Sequence, residues 1–155
     1  MTSARADIRE AVVTVLKAAN TAAGQRVFDH PYNARTTFPA LVVEDAGADL
    51  SDGNVTEVQV PISMGGDLER RFRFVTVAEV KQAEGFARER DELLAAVEAA
   101  LVNAFTLGQL PGVRDLQPLA YQAANNNLGE TPIRRGLQVW QATYFTARGL
   151  AGVPL

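Results

Sequence analysis

The one histidine, His30, sits between Asp29 and Pro31 and is the only ordinary candidate for a general base near neutral pH. A general base needs a positioned partner, and Asp29 does not supply one, because adjacent side chains in extended chain point apart. His30 therefore reads as a turn residue. Five acids, Glu44, Asp45, Asp49, Asp52 and Glu57, occur with no base among them. A calcium loop wants oxygen donors at alternate positions and a closing bidentate glutamate, and this spacing does not match. The acids read either as a solvated loop or as an acidic edge that meets a basic edge on a neighbouring subunit. Arg70, Arg71 and Arg73, together with Arg134 and Arg135, are the candidates for that basic edge. Arginine suits interface ion pairs because its guanidinium forks onto a carboxylate and is weakly hydrated. The other reading of these arginines is solvated charge on a strand face.

Arg88 and Glu92 have the i,i+4 spacing of ordinary helix support. Arginines interleaved with Phe72 and Phe74 occur on nucleic-acid surfaces, yet alternation buries the rings when the arginines face out. The chain has neither a GxxxxGK[ST] nor a GxGxxG phosphate loop, and no GxSxG nucleophile elbow. No constellation for catalysis emerges, so the expectation is a protein that is not an enzyme and holds no metal or cofactor.

The whole chain sets the frame for these residues. Its 155 residues suit one domain, 1–155, and the expected core needs no staple. There is no cysteine, which excludes a disulfide framework and a thiolate nucleophile. A net charge of −3 and a pI near 5.2 give no global basic field for a phosphate backbone. Charges within the first ten residues argue against a signal peptide, and no apolar run reaches membrane-spanning length. A soluble protein is expected.

Hydrophobic spacing predicts the elements that must carry these side chains. Ile8, Val12, Val15, Leu16 and Ala19 form one stripe of a helix from about Ser3 to Asn20, with Gly24 as its stop. Arg26 to Phe28 reads as a short extended piece, and Phe38 to Val43 as a buried strand ended by Glu44 and Asp45. Ala46 to Gly53 reads as a loop. Two extended runs, Val55 to Ser63 and Leu68 to Val80, flank a hairpin turn at Met64-Gly65-Gly66-Asp67. In the second run Phe72, Phe74, Thr76 and Ala78 share one face, and Arg71, Arg73, Val75 and Val77 the other.

Leu94, Val97, Leu101 and Phe105 mark a second helix, Gly85 to Asn103, closed near Gly108. Beyond the break Leu110-Pro111-Gly112, a strand is expected from Val113 to Ala123. A long polar loop follows over Asn125 to Pro132, and then a strand from Leu137 to Ala147 with large apolar groups on both faces. Residues Arg148 to Leu155 read as an irregular tail. The order implies an α+β fold: a mostly antiparallel mixed sheet, two helices on one face, and a protruding hairpin or loop.

The opening helix Ile8-Arg9-Glu10-Ala11-Val12-Val13-Thr14-Val15-Leu16, then Arg26-Val27-Phe28-Asp29, then Phe38-Pro39-Ala40-Leu41-Val42-Val43, resembles the start of the tail terminator proteins of lambda-like long-tailed phages. The closing strand through Trp140 and Tyr144, preceded by a Glu- and Ala-rich helix and Leu116 to Tyr121, is similar too. That resemblance implies a homo-oligomeric ring, a hexamer, that caps the tail tube, ends its polymerisation and joins it to the head connector. The implied partners are copies of the chain itself, the tail tube protein and a head-tail connector or stopper protein. DNA would be only passing cargo in the channel. The implied location is the neck or tail of a virion assembled in a host cytoplasm. Another neck, tail-completion or head-tail connector protein is the alternative within the same class.

Overall fold

The computed structural model describes residues 3–29, 37–46, 56–128 and 131–155. The first helix, α1, spans Ala4–Ala18 and turns Ala4, Ile8, Val12 and Leu16 inward at a spacing of one helical turn. Asn20, with φ of 52°, breaks it in the left-handed region that Asn tolerates better than most residues. The stop thus comes four residues before Gly24, whose N–H closes a turn onto the Thr21 carbonyl.

Two strands follow: β1 (Val27–Phe28) and β2 (Ala40–Asp45). Next come β3 (Glu57–Pro61) and β4 (Asp67–Lys81), the hairpin that the Met64 to Asp67 turn residues predict. The expected loop over Ala46 to Gly53 falls outside the described residues beyond Ala46. Helix α2 covers Phe86–Thr106, from Gly85 at φ of 80° to the neighbourhood of Gly108 at φ of 69°. Leu93 and Ala104 join Leu94, Val97 and Leu101 on its buried face, while Phe105 is half-buried.

The last strands are longer than composition suggests. Strand β5 spans Asp115–Leu128 and β6 spans Thr131–Ala147. The expected polar loop over Asn125 to Pro132 is therefore corrected at 125–128 and 131–132, while Gly129 and Glu130 lie outside the described residues. Asn125 lies opposite Arg134, Asn126 opposite Ile133, Asn127 opposite Pro132 and Leu128 opposite Thr131. Backbone pairing with the neighbouring strand outweighs the weak strand preference of asparagine, which spans only about 1 kcal/mol across residue types. The β5–β6 ladder runs past the end of β4, which stops at Lys81 opposite Ile133. It extends two residue pairs beyond β4, Asn127 with Pro132 and Leu128 with Thr131.

Among the described residues the sheet has six strands in the order β1-β2-β4-β6-β5, with β3 added to β4 beside β2. Of these described strands β1 and β2 pair in parallel and the other pairs are antiparallel. The α+β expectation holds. Both helices pack on one face, where Phe72, Phe74, Trp140, Ala142 and Tyr144 meet Ile8, Leu16, Val97 and Leu101. The Trp140 indole N–H donates to the Thr76 hydroxyl at 3.1 Å, so its polar atom is satisfied within the core. On the opposite face Val42, Ala46, Val75, Val77 and Val139 form a second, smaller cluster.

The tail beyond Ala147 has no strand of its own but is docked. Pro154 bridges Thr146, and the Leu155 N–H donates to the Phe145 carbonyl at 2.8 Å. At Gly112, φ of 72°, a Cβ would come within 2.7 Å of the Pro154 ring, so only glycine allows the tail this approach.

Neighbouring positions of α2 test the packing. Leu101 is fully buried and Val102 is 48% exposed. Leu101→Ala should cost about 2–5 kcal/mol in urea unfolding, and Val102→Ala within about 0.5 kcal/mol. Equal losses would contradict the orientation of the helix.

Candidate functional site

Strand β4 separates the arginines that the sequence places side by side. Arg70 shares the parity of Phe72 and faces the helices, and it is only 5% exposed. Its Nε donates to the Thr146 hydroxyl at 2.7 Å and its Nη1 to Glu57 Oε1 at 3.1 Å. Glu57 stands opposite Phe72 in the β3–β4 register and therefore faces the helices as well.

Further donors converge on the Glu57 carboxylate, whose side chain is 3% exposed. The Tyr144 hydroxyl lies 3.2 and 3.3 Å from its two oxygens, and Arg5 of α1 places Nη1 3.4 Å from Oε2. Gln59 adds an amide N–H at 3.3 Å. A carboxylate this deep persists because charge-assisted hydrogen bonds replace its lost water. Burial, and then the negative charge of Glu57, push the Tyr144 phenol up to about 12, with Arg70 opposing. Glu57 and Arg70 thus pair with each other inside one chain, which corrects their expected placement on separate edges facing neighbouring subunits.

The remaining candidates scatter over both faces. Arg71 and Arg73 lie on the face opposite α1 and α2, where Arg71 Nη2 is 2.8 Å from Glu69 Oε2 and Arg73 Nε is 3.3 Å from Gln141 Oε1. Glu44, opposite Val75, shares that face and is half-buried. Asp45, opposite Phe74, faces the helices and pairs with Arg9 of α1. Arg135 places Nε 3.2 Å from an oxygen of fully buried Glu79, which lies directly across the β4–β6 ladder. Arg134 donates to Gln82 Oε1 at 2.9 Å. Asp49, Asp52 and His30 lie outside the described residues.

One cluster escapes the sequence reading. The Arg90 guanidinium lies 5.9 Å from the ring centres of both Phe86 and Tyr121, and Arg134 lies 5.5 Å from Phe86. Rings and cations alternate from β5 across the N-terminal turn of α2 to β6. Gly136 makes room for this, since a Cβ there would sit 2.9 Å from Arg90 Cδ and from Leu94 Cδ1. The signal in the sequence was the i,i+4 spacing of Phe86 and Arg90; Gly136 falls inside a strand only once β6 is seen to begin at Thr131. These groups join elements of the fold to one another. Among the described residues no group of three or more His, Cys, Asp or Glu side chains is placed to hold a metal ion.

No family model matches the chain, and no curated protein is similar to it. Among solved structures, a chain from the virion of a native gene transfer agent (GTA) particle is similar, with 19% sequence identity and a TM-score of 0.48 over 91% of this chain and 90% of that one. A likeness at that level identifies neither a family nor a function.

Two measurements check the buried cluster. Glu57→Gln leaves the Arg70 charge uncompensated and should cost about 3–5 kcal/mol by urea unfolding, against little change if the pair is solvated. Tyr144 ionises near 10.0 when unconstrained and at about 12 in the fold, so it holds its proton more tightly when folded. Its contribution to stability is full below pH 10 and declines as the pH climbs towards 12. Tyr144→Phe should remove that part of the alkaline slope; an unaltered slope would contradict the assignment.

Proposed function

We propose that this chain is a non-enzymatic subunit of the neck or tail of a phage-like particle. It closes with copies of itself into a sixfold ring on the end of the tail tube, stops the tube's polymerisation and offers the head connector a surface. The wording of the opening helix and of Phe38 to Val43, and the order of elements to the closing strand, support the reading.

The observation that carries it is the arginine-bearing face of β4. Both helices cover one face, and the other presents Arg71, with 43% of its side chain exposed, beside Arg73 and Gln141. A closed ring with head-to-tail contacts needs two different complementary patches on each subunit. The arginines on the face opposite α1 and α2 supply one patch. Asp45, whose side chain is 45% exposed at the end of β2, supplies the other, and its charge sets register and partner choice more than affinity. DNA passes through such a ring without being read.

The double substitution Arg71→Glu with Arg73→Glu tests this. The Arg71–Glu69 pair is half-exposed and worth about 0–1 kcal/mol, so the variant should keep its fold by circular dichroism. Rings in negative stain and the matching size-exclusion peak should vanish. Intact rings in the folded variant would remove the proposed interface, and a wild-type protein without rings would remove the function.

A further inference from the structure

Natural sheets guard an exposed edge with charges, prolines, bulges or brevity, because a row of unpaired N–H and C=O groups invites another strand. Strand β5 is guarded only at its start, by Asp115, Pro118 and the bulge between Pro118 and Ala120. The next nine residues, Ala120 to Leu128, contain no charge and no proline. They extend over roughly 30 Å at about 3.3 Å per residue. Every residue from Gln117 to Ala123 is exposed, with Leu119 at 46% and Tyr121 at 47%.

The hydrogen-bond phase shows which backbone groups turn outward. Gln82 N–H donates to the Pro132 carbonyl, so Pro132, and by alternation Arg134, bond towards the β4 side. Ile133 and Arg135 then bond β5 through Asn126 and Ala124. Tyr121, Ala123, Asn125 and Asn127 are left to aim their N–H and C=O groups away from the sheet.

We propose that this outer edge of β5 pairs with β5 of a second copy of the chain, the two strands running antiparallel about a twofold axis. Length argues for a copy of itself, because the other strands at the margin of the sheet do not match: β1 has two residues and β3 five, ending in Pro61. Charge argues the same way, since a neutral strand meets itself without like-charge repulsion. Strand addition of this kind draws its affinity from main-chain hydrogen bonds. The contact is self-complementary, unlike the head-to-tail contact of a ring, and it stands whether or not the ring reading does.

The chain has no cysteine, so a single introduced thiol reports the contact without background. Gln122→Cys, treated at micromolar concentration with a short thiol-to-thiol crosslinker, should give at least tenfold more covalent dimer than Met64→Cys, a fully exposed position on the β3–β4 turn. Adding Ala123→Pro to Gln122→Cys removes an outward N–H that the β5–β6 ladder does not use, and should abolish the dimer. Ala123→Lys, which sets two charges across the axis, should do the same with an unchanged thermal melt. The dimer should persist with Arg71→Glu and Arg73→Glu present, which separates it from the ring. Equal crosslinking at Gln122→Cys and Met64→Cys, or a yield indifferent to Ala123→Lys, would overturn the proposal.

Discussion

Period-two alternation along β4 is the constraint on which the rest of the molecule depends. This fifteen-residue strand is bonded along its length by β6 on one side and by β2 and β3 in succession on the other. Each side chain is thereby committed to one face. Arg70, Phe72 and Phe74 go to the helices, and Glu69, Arg71 and Arg73 go to the opposite side. A slip of one residue would exchange the two sets and drive charges into the main core. The hairpin with β3 and the long ladder with β6 oppose such a slip.

The same alternation explains why a charged pair lies in the core. Burying a carboxylate and a guanidinium costs several kcal/mol per ion, and their attraction offsets it only when the other donors and acceptors are met. Here Thr146, Tyr144, Arg5 and Gln59 meet them. What the pair adds is less net stability than a definite arrangement, because β3, β4, β6 and α1 each hold one part of it.

Much of this architecture was legible from spacing. The helix stripes through Ile8, Val12 and Leu16 and through Leu94, Val97 and Leu101 are read correctly, as are the two faces of β4 and the double-sided burial of the strand through Trp140, whereas Ala19, placed on the first stripe, lies past the end of α1 and is exposed. The position of Arg70 was legible too, since parity with Phe72 assigns it inward; grouping by charge concealed it. The paired stretch Asn125 to Leu128 was not legible, because asparagine favours turns locally and the strand exists only through its ladder with β6. Nor were the partners of Glu57, since Tyr144 lies 87 positions away and meets it only after the sheet has formed.

The stack of Tyr121, Arg90, Phe86 and Arg134 bears on how the hairpin responds to its surroundings. Arg90 has only 11% of its side chain exposed and lies between rings, whereas the Arg88–Glu92 pair one turn away is open to solvent. Ionic strength weakens exposed charge pairs over a Debye length of about 8 Å at physiological salt and reaches sheltered ones far less. Added salt therefore weakens the exposed Arg88–Glu92 pair more than the contacts that Arg90 makes between α2 and β5.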